Sequence, residues 1–181
     1  MQSPELGERL LAAGFAPDGS EPGMAVALDE LVAPRVVPGL QLERVTDDAA
    51  LAVWADTLAR GFGEGEKEAQ WAASVYRVLG YDDPWRHYVA TVDGVPAGTI
   101  TVYLAAGVAG VYFVMTVPEA RRRGIGAALT HAALAQVGSG YAVLTSSSAG
   151  RSVYASLGFR ALCTIDLYQF DQRASAAAAR Q

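Results

Sequence analysis

Apolar and polar residues alternate with two distinct periods along this chain, and the switches between those periods mark its elements. Gln41 to Val45 alternates as a short strand, after which Thr46, Asp47 and Asp48 open a helix. Leu51, Val53, Trp54 and Leu58 then recur at helical spacing up to Gly61, an end signal. Phe62 to Lys67 is glycine-rich and acidic, and a second helix follows from about Glu68 to Leu79 with Trp71, Val75, Tyr76 and Leu79 as candidate core residues. After a turn region, Tyr81 to Trp85, the period changes to two. His87 to Val92 runs into Asp93-Gly94, the strongest short hairpin signal in the chain, and the return strand extends from Val95 to Leu104. Ala105 to Gly110 reads as a small-residue turn before a third strand, Val111 to Val117. Three strands joined by short turns are expected to be antiparallel.

The period changes again after Pro118. Ile125 to Val137 is apolar nearly all round and predicts a largely buried helix, closed by Gly138-Ser139-Gly140. Tyr141 to Thr145 then reads as a short strand parallel to the third one and covered on both faces, which completes a right-handed βαβ crossover. The serines from Ser146 offer a cap for a helix over about Ala149 to Leu157, stopped by Gly158. A last alternating run, Ala161 to Phe170, is expected to close the sheet, and Asp171 to Gln181 to fray.

The N-terminal stretch echoes this ending. LLAAGFAPDGSEPGMAVAL and YASLGFRALCTIDLYQF share an order of small residues, Gly-Phe, loop and alternating strand, with a helix over Leu6 to Phe15 and a strand over Met24 to Leu28. Two readings stay open: a truncated copy of the C-terminal helix and strand, or an unrelated cap. The expected division is an extension and linker over 1–39, one domain over 40–170 and a tail over 171–181.

Composition narrows the class. In 181 residues 51 % are hydrophobic and 18 % charged, so a packed core is affordable to a single domain, and no apolar run approaches the roughly 18 residues of a membrane span. A net charge of −5 argues against nucleic acid or a membrane as partner. Cys163, the single cysteine, excludes an intramolecular disulfide and is expected as a strand core residue. With no leader pattern at the start, a cytoplasmic setting is the simplest expectation.

Against that acidic background the cluster Arg121, Arg122, Arg123, Gly124, Ile125, Gly126 stands out, lying between a strand and a helix. Two glycines beside a helix N-terminus expose unpaired N–H groups, which suits a phosphate. A dinucleotide loop would need a third glycine where Leu129 stands, and no Gly-Lys-Ser/Thr triplet makes a P-loop. Arg121-x-x-Gly124-x-Gly126 after Pro118 resembles instead the acyl-CoA pyrophosphate loop, Gln/Arg-x-x-Gly-x-Gly/Ala, of the GNAT (GCN5-related N-acetyltransferase) superfamily. Val153, Tyr154, Leu157, Gly158 and Phe159 resemble a second pattern of that superfamily, with Ser147 and Gly150 replacing its Asn and Ala.

The resemblance implies a GNAT fold of mixed α/β (α+β) class, with a mostly antiparallel central sheet flanked by helices and a βαβ acyl-CoA core. It implies acetyl-CoA (coenzyme A) as donor, held by Met115, Thr116, Val117, Arg121, Arg122, Arg123, Gly124, Ile125, Gly126, Ala127 and Ser147. Tyr154 is expected to protonate the departing thiolate. The implied reaction is acetyl transfer by direct attack of a primary amine, small-molecule or peptide, in a monomer or homodimer with no metal. The alternative is a catalytically silent acyl-CoA-binding module. A family glutamate slot falls near Gly110, which leaves Glu64, Glu66, His87 or water as the base. Phe62, Trp71, Tyr76, Tyr103 and Tyr112 are candidates for an acceptor pocket, with the segment from Gly61 to Glu66 as its roof.

Overall fold

Two tight turns organise the centre of the molecule. Asp93 (φ 52°) and Gly94 (φ 80°) link strand β3 (Trp85–Val92) to β4 (Val95–Ala105), and Ala106 (φ 51°) and Gly107 (φ 76°) link β4 to β5 (Val108–Thr116). Paired left-handed residues match the twist of an antiparallel hairpin. The second turn is therefore two residues, not the six from Ala105 to Gly110: Ala109 and Gly110 are taken into the ladder opposite Leu104 and Tyr103. The computed structural model describes residues 4–170, so the tail expected from Asp171 lies outside it.

Strand β2 (Leu40–Arg44) adds antiparallel to β3. Helix α2 (Asp48–Phe62) begins where the Asp47 carboxylate accepts the Ala50 N–H at 2.8 Å, and ends at Gly63 with φ 79°. Gly61 thus lies inside the helix and does not end it. A Cβ there would come within 2.0 Å of Met115 Cγ, so the bare backbone lets α2 lie close against β5. Helix α3 (Glu66–Leu79) packs on α2, turning Ala69 and Ala72 inward and leaving Trp71 67 % exposed, which removes Trp71 from the expected core.

The crossover follows as expected. Helix α4 (Ile125–Ala135) leads to β6 (Tyr141–Thr145), parallel to β5 from Val108↔Tyr141 to Gly110↔Val143. Helix α5 (Arg151–Ser156) leads to β7 (Arg160–Phe170). Helix α1 (Pro4–Ala12) precedes β1 (Phe15–Ala27), which starts nine residues before the expected Met24. The sheet order is β2-β3-β4-β5-β6-β1-β7, so β1 lies between β6 and β7, antiparallel to both. The two echoing segments pair with each other: Phe15 faces Phe170 and Ala25 faces Arg160, placing the two Gly-Phe steps at opposite ends of one ribbon.

On one face of the sheet Ile100 and Val102 pack with Leu129 of α4, Leu157 at the end of α5 and Phe159; on the other, Val89 packs with Leu51, Trp54 and Leu58 of α2 and Ala72 of α3. The second pair of helices stops short of β6, β1 and β7. Tyr141, Val143 and Thr145 are consequently exposed, so β6 is buried on one face only, contrary to the expectation of two. The same open face leaves Cys163 exposed where a core position was expected.

Candidate active site

The loop that leaves β5 is shaped by its own residues. Pro118–Ala120 makes one 3-10 turn, Arg122 adopts φ 62°, and Gly124 caps α4 at φ 82°. The first bond into the α4 ladder runs from Ala128 N–H to Gly124 C=O at 3.0 Å, so the N–H groups of Ile125, Gly126 and Ala127 point out of the helix start. They border a cleft of about 740 Å³ lined by Thr116, Arg121, Arg122, Gly124, Ile125, Gly126 and Ala127, with the small side chains of α5 opposite. A Cβ on Gly126 would meet only Thr116 Oγ1, at 3.9 Å, so this glycine leaves room in the cleft and relieves no clash.

The three arginines separate. Arg121 turns its guanidinium back into the fold, donating to Gly61 C=O at 2.6 Å and Thr116 C=O at 3.1 Å. That clamp joins the ends of α2 and β5, so the Arg121 side chain is not free for a phosphate, although its backbone borders the cleft. Arg122 lines the cleft, whereas Arg123 is exposed and lines neither cavity of the site. Val117, expected at the donor site, is 1 % exposed in the core, donates its N–H to Ala97 C=O at 3.0 Å and lines neither cavity.

A second cavity, about 290 Å³, opens where β5 and β6 part. Their pairing ends at Gly110↔Val143, which leaves the outer edge of residues 111–116 without a neighbouring strand. A bulge between the Thr99↔Met115 and Thr101↔Tyr112 pairs sharpens the bend, with Phe113 at φ 51°. So bulky a residue in that region costs of order 1–3 kcal/mol and needs support. Thr99 Oγ1 donates to Phe113 C=O at 2.9 Å, and the Phe113 ring sits edge-on to Trp54 and Tyr76. The cavity is lined by Glu21, Phe62, Tyr112, Phe113, Met115, Ser147 and Tyr154 among others. Met115, Ser147 and Tyr154 thus line one cavity, and Thr116 lines the loop cleft beside it.

Tyr154 is mostly buried on α5, and burial pushes its phenol up to about 12. Ser147 Oγ accepts the Gly150 N–H at 3.3 Å, which ties it to the start of α5 while it faces the cavity. Of the candidate bases, His87 is 1 % exposed under α2, with Nδ1 2.7 Å from Thr101 Oγ1 and Nε2 unpartnered among aromatic rings. Burial lowers it to about 4, and it lines neither cavity. Glu64 and Glu66 are exposed and line neither cavity. Phe62 and Tyr112 line the second cavity; Tyr76 and Tyr103 pack around Trp85 instead. Glu21 escaped the sequence reading, because its place in the wall depends on where β1 enters the sheet.

Residues 83–161 match the family model described as an acetyltransferase (GNAT) domain. Solved structures share the fold. A GCN5-related N-acetyltransferase from Kribbella flavida superposes with a TM-score of 0.70 at 20 % identity, over 96 % of this chain and 66 % of that one. One from Sphaerobacter thermophilus gives 0.69 at 18 % identity, over 92 % and 56 %. A tandem GNAT protein from the clavulanic acid biosynthesis pathway gives 0.67 at 21 % identity, over 92 % and 58 %. The chain therefore spans about two thirds or less of each. No curated protein matches it. The domain match over residues 83–161 agrees with the resemblance to the GNAT superfamily that the loop and the Tyr154 helix carry, and the solved structures show the same fold. Among the described residues no helix is long and apolar enough to cross a membrane.

Proposed function

We propose that this chain is an N-acetyltransferase that moves an acetyl group from acetyl-CoA to a primary amine, working in the cytoplasm, with residues 40–170 and strand β1 of the N-terminal segment forming the catalytic domain. The carrying observation is a pair of neighbouring cavities at the end of β5, one lined by Thr116 at the α4 N-terminus and one lined by Met115 and Tyr154. The residues fit the donor: exposed N–H groups of 125–127, the side chain of Arg122 and the space left by Gly126 suit a pyrophosphate. Acetyl-CoA supplies an activated acyl carbon and a thiolate leaving group.

This chain's residues then have separable tasks. Backbone groups on the unpaired edge of residues 113–116 align an extended arm as an added strand would, and an N–H there stabilises charge developing on the thioester oxygen. Tyr154 donates a hydrogen bond to the sulfur as the carbon–sulfur bond breaks and the nitrogen–carbon bond forms, and the departing thiolate takes its proton from solvent. With its phenol near 12, Tyr154 stays protonated throughout the working range and acts chiefly as a hydrogen-bond donor to the sulfur. The acceptor's surplus proton passes to solvent water, since none of Glu64, Glu66 and His87 lines the cavity.

Thermal denaturation with and without CoA tests the donor assignment. At 100 times its dissociation constant CoA adds about 2.7 kcal/mol, a rise of roughly 5–10 °C for a chain of this size. No shift at millimolar CoA refutes it. A shift without thiol release from any amine would favour the silent binding module.

A further inference from the structure

The N-terminal strand places one carboxylate in an otherwise uncharged cavity. Of the residues that line the space beside Tyr154, Glu21 alone carries charge; the remainder are apolar, aromatic or hydroxyl-bearing. Glu21 is half-buried and, among the described residues, has no ion pair or side-chain hydrogen bond that would assign it a structural task. Its backbone position is fixed: it pairs with Ile165 of β7, and the next residue, Pro22, accepts the Ser146 N–H at 3.1 Å, beside Ser147 of the same cavity. Phe62, Tyr112 and Phe113 supply aromatic surface around it. A carboxylate with aromatic faces is a recognition site for a cation.

We infer that Glu21 makes this cavity an acceptor site for amines of net positive charge, holding one ammonium of a di- or polyamine while a second nitrogen is acetylated. The inference rests on the acetyltransferase reading for the last step only; cation binding stands apart from it. The task of Glu21 is recognition and not proton removal, because a carboxylate is far too weak a base for an alkylammonium. The attacking nitrogen must be neutral, so the charge that Glu21 holds belongs to another nitrogen of the same molecule. Amino acids carry a carboxylate of their own, which Glu21 repels. Strand β1 thereby has a task in the site: it is wall and selector at once.

The test is calorimetric titration of spermidine into the full chain at pH 7.5, with saturating CoA present and absent, for wild type, Glu21→Gln and Glu21→Asp. Loss of one charge-assisted contact predicts about tenfold weaker binding in Glu21→Gln, with unchanged melting temperature and unchanged CoA shift. Glu21→Asp, which keeps the charge, should bind spermidine more tightly than Glu21→Gln. Wild-type affinity should fall with added salt more steeply than that of Glu21→Gln, a difference that a packing role would not produce. Equal affinities in wild type and Glu21→Gln overturn the inference, as does absence of spermidine binding to wild type at 10-fold millimolar excess. A missing CoA shift with intact Glu21-dependent spermidine binding would sink the transferase reading and leave the cation site standing.

Discussion

Protonation of His87 provides a sharp test of the core beneath the site. The imidazole is 1 % exposed, donates or accepts one hydrogen bond through Nδ1 to Thr101 Oγ1 at 2.7 Å, and lies 4.8 Å, centroid to centroid, from Trp54 and 5.0 Å from Tyr76. Among the described residues no acidic side chain is its partner, so a positive charge there is uncompensated, and burial lowers its pKa from 6.5 to about 4. The unfolded chain takes up its proton near pH 6.5, the folded chain only near 4. Stability attributable to neutral His87 is therefore present above 6.5, declines as pH falls from 6.5 to 4, and is lost below 4. At 1.36 kcal/mol per unit the loss is about 3 kcal/mol. Urea denaturation of wild type and His87→Gln at pH 7.5, 6, 5 and 4.5 measures it. The expected result is a wild-type curve that falls by about 2–3 kcal/mol over this range and a variant curve flatter by most of that amount. The exposed carboxylates with lowered pKa, Asp48, Asp83 and Glu119, lose their contribution mainly below about pH 4.5, and it cancels in the comparison of the two proteins. Parallel curves for the two proteins would refute the account of a neutral, unpaired His87.

Three further substitutions separate binding, chemistry and scaffold. Gly126→Leu should leave the fold intact or slightly more stable, because a Cβ there meets only Thr116 Oγ1, at 3.9 Å, the rest of the side chain enters the open cleft, and leucine favours a helix over glycine by somewhat under 1 kcal/mol. It should nonetheless weaken CoA binding at least tenfold by filling the cleft; unchanged affinity by calorimetry would contradict the cleft assignment. Tyr154→Phe should lower kcat by about 100-fold with little change in CoA affinity, and wild-type activity should show no alkaline limb from this phenol below about pH 11; equal single-turnover rates would remove its role. Arg121→Ala should cost about 1–3 kcal/mol in denaturation experiments by orphaning Gly61 C=O and Thr116 C=O, and Arg121→Lys, lacking the fork, should recover only part of it.

What the sequence determined by itself is the set of features decided by near neighbours. Asp93-Gly94 announces a hairpin because few residues accept positive φ in succession. The Arg121 to Gly126 loop is contiguous, so its glycines, its arginines and the start of α4 could be read together. Asp47 signals the α2 start three residues ahead of the N–H that it caps. The echo between the N- and C-terminal segments is likewise visible in one dimension, as is the placement of Tyr154 on a short helix before Gly158-Phe159.

Tertiary structure decided which strands meet and which faces are covered. β1 pairs with residues more than 100 positions away, and nothing local specifies its entry between β6 and β7. That one placement brings Glu21 to the cavity of Tyr154 and makes β7 an edge strand. The short reach of α2 and α3 exposes Cys163 and one face of β6, and the turn of α3 puts Trp71 in solvent. Arg121 looked like a phosphate ligand by its neighbours in sequence, yet two carbonyls contributed by α2 and β5 claim its side chain. Backbone conformation is set by steric and hydrogen-bonding choices within a few residues. The environment of a side chain is set by whatever the rest of the chain packs against it.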